Sequence, residues 1–177
     1  IGASGTDTAE GRPKFSIAST SFVLNDDQDT LTIDLALNDS GVRIVKRFTL
    51  SRNSYDIGVQ YIINNGSSSD WNGTFYGQIK RDAKPPVTDV SGFSMQPFLG
   101  AALRQPEKNY AKFDFSDIED ESVKTSIEGG WVAMVQHYFI TAWIPPADEL
   151  NNFTLRKLSN QDMYLLSFTG APISIPV

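Results

Sequence analysis

The chain has 177 residues with no cysteine and one histidine, and its 15 lysine and arginine residues against 21 aspartate and glutamate residues give a net charge of −6. This length suits one domain with a sizeable core, while the missing cysteines exclude disulfides and thiolate metal sites. The positive residues are scattered, so we expect no nucleic-acid partner, and the acidic balance disfavours charge-driven binding to anionic lipids.

The first residues of the chain differ in composition from the rest. Residues 1–13 are small, polar and glycine-rich, which predicts a flexible N-terminal segment. We expect residues 14–177 to form a single domain. No apolar run approaches the ~20 residues that a membrane-spanning helix needs, so any membrane anchor is expected outside these residues.

Strand patterns follow at close spacing. Apolar residues alternate over 31–37 and again over 42–50, and the turn residues Asn38-Asp39-Ser40-Gly41 between them predict a hairpin. A second alternating pair spans 57–63 and 75–79. These four segments together predict an antiparallel meander.

The stretch from Val87 to Pro106 is expected to be a loop with an unusual amount of apolar surface. A loop carries such surface when it packs under the domain or lines a groove. The candidate binding residues of this loop are Phe93, Met95, Phe98 and Leu99. Trp71, which lies in a polar loop, is a further candidate for stacking on a sugar or anchoring a partner protein.

The remaining patterns complete a mainly β chain with few short helices. Segments 153–158 and 163–168 predict another strand pair, residues 173–177 predict the start of a further strand, and a helix of one or two turns is expected near Asp114 to Glu121. Two stacked antiparallel sheets are the expected layering.

Catalysis has little support in these residues. With His137 as the sole histidine and no Gly-x-Ser-x-Gly turn, neither a zinc site nor a serine hydrolase is expected, and no cofactor motif is present. The acidic residues of 114–121 leave paired-carboxylate sugar chemistry open as an alternative. A non-enzymatic carbohydrate-binding module is a second alternative, based on Trp71.

Residues 129–145 form the most informative segment, Gly-Gly-Trp-Val-Ala-Met-Val-Gln-His-Tyr-Phe-Ile-Thr-Ala-Trp-Ile-Pro. We interpret its rings as core side chains that fill the space between sheets. The residues assigned this mainly structural role, with the flanking glycines and proline, are Gly129, Gly130, Trp131, Tyr138, Phe139, Trp143 and Pro145.

This segment resembles the GGWVAM-x-Q-x-YF-x-TAWIP signature of the periplasmic domain of the YidC family of bacterial membrane-protein insertases. Residues 98–102 are similar to the family's F-x-GAA segment, and residues 110–115 are similar to its Y-x-K-aromatic-x-F strand. The resemblance covers roughly residues 31–153. The serine-rich loop that contains Trp71 departs from the family pattern.

The resemblance implies an antiparallel β-supersandwich like that of galactose mutarotase. It also implies a non-catalytic interaction domain at the periplasmic face of the inner membrane, which assists insertion and folding of inner-membrane proteins alone or with the Sec translocon. The implied partners are Sec translocon components and nascent membrane proteins. The paired histidines of mutarotase chemistry cannot be assembled from His137 alone.

Overall fold

A computed structural model describes residues 1–7, 11–85, 98–159 and 161–177 of the chain. Within these ranges the chain is mainly β, and its strands form three antiparallel sheets, accompanied by one α-helix and a 3-10 turn at Ser4–Thr6. The predicted mainly β, sandwich-type class with little helix is confirmed. The two-sheet layering of the prediction corresponds to two of the three sheets.

The strands and the helix are numbered here in chain order. Their bounds are β1 Gly2–Ala3, β2 Ser16–Ile17, β3 Thr30–Asp39, β4 Val42–Ser51, β5 Ile57–Asn65, β6 Trp71–Arg81, β7 Leu99–Gln105, β8 Lys108–Phe113, α1 Phe115–Asp120, β9 Val123–Glu128, β10 Val132–Gln136, β11 Phe139–Trp143, β12 Leu150–Lys157 and β13 Tyr164–Ile175. The first sheet has the order β1-β6-β13-β12-β9, the second β11-β10-β7-β8 and the third β2-β3-β4-β5.

The described chain divides into two compact units. The first unit contains residues 1–4 and 74–172, and the second contains residues 5–73 and 173–177. The expectation of a single domain over residues 14–177 stays a prediction.

The core of the first unit lies between side chains of the first and second sheets. Strands β7 and β10 contribute Ala101, Leu103, Val132 and Met134, while β12 and β13 contribute alternate residues from Phe153 to Phe168. Helix α1 adds Phe115 and Ile118 to the same cluster. Because successive side chains of a strand point to opposite faces, each strand presents every second residue to this core. This packing is the sandwich of the predicted class.

The third sheet, in the second unit, contains the predicted β3–β4 hairpin. Its register runs from Thr30↔Ser51 to Asp39↔Val42, which leaves Ser40 and Gly41 as a two-residue turn. Both turn residues have positive φ, 50° and 88°, the combination that a type I′ hairpin requires. The hairpin prediction is confirmed.

The fourth strand of the predicted meander is placed elsewhere. Strand β6 belongs to the first sheet, beside β1 and β13, and not to the third sheet beside β5. A loop joins β5 to β6, and within the second unit Asn65 Nδ2 donates to the carbonyl oxygens of Ser69 and Ile175, both at 2.9 Å. A two-residue turn forces the two strands that it joins to pair, whereas a longer loop such as the one between β5 and β6 does not. The prediction of a four-stranded meander was therefore wrong at β6.

Two further expectations need correction. Residues 99–105 are strand β7 and not loop, and its residues Ala101, Ala102 and Leu103 are fully buried. Glycine and alanine have low strand propensity and the run lacks alternation, so only tertiary burial makes it a strand. Residues 173–175 continue β13 and do not begin a new strand.

The N-terminal segment and the helix complete the comparison. Strand β1, Gly2–Ala3, was not predicted from the sequence, and it pairs with Tyr76 and Phe75 of β6. The flexibility of residues 1–13 stays a prediction. Helix α1 lies where a short helix was expected. In the described part of the chain, no helix has the length and apolar character to cross a membrane.

Candidate interaction surface

The β10–β11 hairpin carries the most exposed part of the 129–145 segment. Gln136 pairs with Phe139, so His137 and Tyr138 form a two-residue turn. His137 has a positive φ of 53° and its ring contacts that of Tyr138 edge-on, with centroids 3.6 Å apart. The His137 backbone N–H donates to the Phe98 carbonyl oxygen at 3.2 Å, which fixes the turn beside the start of β7.

Four large apolar side chains of this hairpin and its continuation are exposed. Their exposed fractions are 87% for Tyr138, 74% for Phe139, 62% for Ile140 and 72% for Ile144. We call these four residues the hairpin patch. None of them is charged, and they occupy four of the seven positions from 138 to 144, whereas exposed apolar residues are normally scattered singly. By strand alternation, Phe139 and Ile140 point to opposite faces of the hairpin.

Exposure of Tyr138 and Phe139 corrects the expectation that both fill the space between sheets. Phe139 lies on the same face as the core residues Val132 and Met134, but it is opposite Gln136 at the last position of β10. Tyr138 lies in the turn itself. The face of the hairpin that carries the core residues therefore extends beyond the core itself. The apolar pattern of the sequence does not show at which residue the core ends.

Trp131 and Trp143 are half-buried. The Trp143 ring centroid lies 6.0 Å from that of Phe168 and packs against the core, while Trp131 lies 5.6 Å from Tyr110. A β-carbon at Gly77 would lie 2.7 Å from the Trp143 indole, so the glycine provides its space. In the described structure the buried Trp143 Nε1 has no hydrogen-bond partner.

The glycine pair and the proline of the segment occupy constrained positions. Gly129 and Gly130 have positive φ values of 65° and 86° between β9 and β10. A β-carbon at Gly129 would lie 2.9 Å from the Ala147 carbonyl oxygen, and one at Gly130 would lie 3.0 Å from Phe153. Pro145 is buried after β11.

The four candidates of the expected apolar loop have different outcomes. Phe93 and Met95 lie outside the described residues. Phe98 is half-buried beside the hairpin turn, with Lys112 Nζ 5.0 Å from its ring centroid. Leu99 is half-buried and packs against the core. The structure therefore brings two of the four beside the hairpin: Phe98, whose carbonyl oxygen accepts the His137 N–H, and Leu99, which pairs with Gln136.

Cationic groups lie beside the hairpin. An Arg81 guanidinium nitrogen donates to the side-chain oxygen of Gln136, the last residue of β10. Together with Lys112 next to Phe98, this places two positive charges near uncharged apolar rings, although the chain as a whole is acidic.

Trp71 belongs to the second unit. It is 8% exposed, and β-carbons at Gly5 and Gly73 would lie 2.7 and 2.8 Å from its indole carbon Cζ2. It also lines a cavity of about 300 Å³ together with Thr6, Asp39, Ser40, Ser69 and Asp70. The ring is packed closely against Gly5 and Gly73, which a structural role explains.

The acidic residues of 114–121 take part in local structure. Asp117 accepts a hydrogen bond from the Asp114 backbone N–H at 2.9 Å, one half of a capping box at the start of α1. Glu119 forms an ion pair with Lys157 and accepts a hydrogen bond from Tyr164 Oη at 3.0 Å. The Lys157 and Tyr164 hydrogen bonds lower the pKa of Glu119, while burial and the Glu119 hydrogen bond raise that of Tyr164.

Metal binding has no cluster to support it in the described ranges, where no group of three or more histidine, cysteine, aspartate or glutamate residues could hold an ion. The exposed residues that sequence reasoning missed are Ile140 and Ile144. The signal present in the sequence is Pro145-Pro146, because proline is confined to edge strands, strand ends and bulges.

Comparisons with known proteins match the whole chain. A family model described as the YidC periplasmic domain matches residues 1–177. Among curated proteins, the membrane protein insertase YidC of Cellvibrio japonicus is 51% identical over 99% of this chain and 32% of its own length. That of Alcanivorax borkumensis is 42% identical over 99% and 31%, and that of Saccharophagus degradans is 44% identical over 98% and 32%. The chain therefore spans about a third of the length of these relatives.

Proposed function

The chain belongs to the YidC periplasmic domain family, and on that premise we propose that it is a non-catalytic interaction domain that assists insertion and folding of inner-membrane proteins. The family name implies a periplasmic location, and the proposed position is the periplasmic face of the bacterial inner membrane. The relatives are named membrane protein insertases. The insertase activity belongs to the full-length relatives by name, and we propose that this chain contributes to it.

One observation carries the proposal, the exposed hairpin patch. Tyr138, Phe139, Ile140 and Ile144 leave apolar side chains in water, which is unfavourable unless a partner covers them. Aromatic residues are also enriched at protein-binding surfaces, where a few of them supply most of the affinity. An interaction surface accounts for this exposure, whereas a purely structural role does not.

The proposed partners are nascent membrane proteins and Sec translocon components. Segments of a nascent membrane protein are rich in apolar side chains. These side chains match the uncharged hairpin patch better than they match a polar surface. A Sec subunit that binds here would cover the same side chains. A single photo-crosslinking experiment distinguishes a nascent chain from a Sec subunit at this patch.

The experiment places a photo-crosslinking amino acid at Tyr138 of the full-length protein while a single-spanning inner-membrane protein is being inserted. We expect crosslinks to the nascent chain, to a Sec subunit, or to both. The same group at Tyr55, an equally aromatic residue that is 104% exposed, is the matched control. Crosslinking from position 138 that does not exceed that from position 55 would refute the proposal.

Carbohydrate binding stays the alternative, and the cavity beside Trp71 favours it. Aromatic ring faces, carboxylates and hydroxyl groups are the groups that bind neutral sugars, and Asp39, Asp70 and Ser69 line the same cavity as Trp71. Binding on a glycan array that is lost in Trp71→Ala but kept in Trp131→Ala would support this alternative. An array without binding would remove it.

A further inference from the structure

Strand β11 lies at one edge of the second sheet, since the order of the described strands is β11-β10-β7-β8. Its residues Phe-Ile-Thr-Ala-Trp include no charge and no proline. Proteins usually protect an edge strand with lysine, proline or a bulge, because an open row of backbone donors and acceptors pairs with other chains. Strand β11 contains no lysine, proline or bulge, and no described strand pairs with its outer edge; its short length of five residues is the protection that it has.

The hairpin register identifies which backbone groups face away from β10. The two residues that flank a two-residue turn donate main-chain hydrogen bonds to each other, as Gln136 and Phe139 do here. Hydrogen-bonded and non-hydrogen-bonded pairs alternate along an antiparallel ladder, so Thr141 and Trp143 also form hydrogen bonds to β10. The N–H and C=O groups of Ile140 and Ala142 consequently point to the free edge.

The side chains of the same residues add an apolar surface to this edge. Ile140 and Ala142 share one face of the strand, because side chains alternate with a period of two, and Ile144 directly follows the last strand residue, Trp143. The two isoleucines are 62% and 72% exposed. A small residue between two exposed branched ones leaves room for the side chain of a neighbouring strand.

We propose that β11 accepts an extended apolar segment of a partner polypeptide as an added strand. The segment pairs with the main chain at Ile140 and Ala142, in about four hydrogen bonds, and its apolar side chains lie against Ile140 and Ile144. This inference rests on the proposed function and deepens it, because it names the part of the partner that is bound and the mode of binding.

Other occupants fit this edge less well. A second copy would bring two chains of net charge −6 together over a strand of five residues, which is short for a stable dimer interface. A lipid surface offers apolar contact, but hydrocarbon leaves the N–H and C=O groups of Ile140 and Ala142 without partners. An extended polypeptide satisfies both the backbone and the side chains.

The test uses the full-length protein in detergent and a fluorescein-labelled, end-capped peptide of about eight alternating valine and threonine residues, the usual length of a strand. Binding is measured by fluorescence anisotropy. Ala142→Pro removes an outward N–H that donates no hydrogen bond to β10, so we expect the affinity to fall by about tenfold or more. Ala142→Ser keeps the N–H and is expected to bind within about twofold of the wild type.

A second measurement does not depend on the folding of a variant. The same peptide with alternate backbone nitrogens methylated keeps its side chains but cannot pair along one edge. We expect its affinity for the wild-type protein to fall to the same extent, and equal binding of the methylated peptide or of Ala142→Pro would overturn the inference.

The outcomes also separate this inference from the proposed function. Crosslinks from position 138 to a nascent membrane protein, combined with peptide affinity that is insensitive to Ala142→Pro, would overturn the added strand and leave the proposed function standing. Dimerisation of the wild type that Ala142→Pro abolishes, or binding to phosphatidylethanolamine–phosphatidylglycerol vesicles in place of the peptide, would assign the edge to the other occupants and overturn the inference.

Discussion

Glu119 is the residue at which charge and packing are most closely linked in this chain. Its carboxylate joins Lys157 of β12 and Tyr164 of β13 to helix α1. The acidic composition of 114–121 predicted neither partner, because both lie more than 35 residues away in sequence and meet only through the fold. The sequence left this carboxylate open as a catalytic candidate, whereas the structure gives it structural hydrogen bonds.

The pH dependence of stability follows from this cluster. The folded-state pKa of Glu119 is lowered below its ordinary value of 4.5, mainly by the Lys157 hydrogen bond, so its contribution is complete above that value and is lost as the pH falls through the lower folded-state pKa. We expect Glu119→Gln to be less stable than the wild type at pH 7 and to lose less stability on acidification. Urea unfolding between pH 7 and pH 3 measures both.

Asp120→Asn is the matched control for this prediction, since it also replaces a carboxylate by an amide of the same size and lies on the same helix. Parallel pH profiles of wild type and Glu119→Gln would contradict the assigned role of the ion pair. On the alkaline side the sign is opposite: the pKa of Lys157 is raised by Glu119, so that contribution is present below its ordinary value of 10.5 and is lost as the pH rises through the folded-state pKa.

At the scale of elements, local signals predicted what local interactions determine. The β3–β4 hairpin followed from alternation and a turn whose residues accept positive φ, and α1 followed from a short acidic stretch. Strand β7 and the sheet assignment of β6 could not be predicted, because both depend on distant pairing. For the candidate surface, the sequence placed the binding residues in the stretch from Phe93 to Leu99 and at Trp71, and it interpreted Tyr138 and Phe139 as core, although both are exposed.

The turn between β9 and β10 provides a prediction at this scale. Gly130→Ala introduces a side chain at a φ of 86° and at 3.0 Å from Ile127 and Phe153, so we expect it to lower the free energy of unfolding by about 2 kcal/mol or more. Gly58→Ala is the control, because its β-carbon would meet Thr49 at 3.5 Å, an ordinary contact. Chemical denaturation compares the two variants.

We expect Gly58→Ala to change stability by less than about 1 kcal/mol, in the stabilising direction, because glycine is unfavourable inside a strand. Equal destabilisation by both substitutions would show that the positive φ and close contacts at Gly130 do not control the stability of this turn.

At the scale of the whole molecule, composition and periodicity were sufficient for the class. Alternating segments and turn residues indicated a mainly β chain, and the 129–145 signature indicated the family to which the chain belongs. The number of domains is a different kind of property. It depends on how contacts are distributed among distant strands, and no local pattern encodes that distribution.

The single-domain prediction has a direct thermodynamic test. A single domain over residues 14–177 should unfold in one transition with equal calorimetric and van't Hoff enthalpies. Differential scanning calorimetry measures both enthalpies. Two separate heat-absorption peaks, or a calorimetric enthalpy well above the van't Hoff value, would instead show that the two compact units unfold independently.

The φ of 53° at His137 has a consequence for how this protein divides its stability between regions. In that conformation a residue with a β-carbon lowers the stability of the folded state by about 1 kcal/mol relative to glycine. The strained residue stands in the same turn as the exposed Tyr138 ring, so the least relaxed backbone of the hairpin coincides with its most water-exposed aromatic residue. Glycine at position 137 would remove this cost and is therefore expected to stabilise the hairpin turn while the exposed Tyr138 ring is kept.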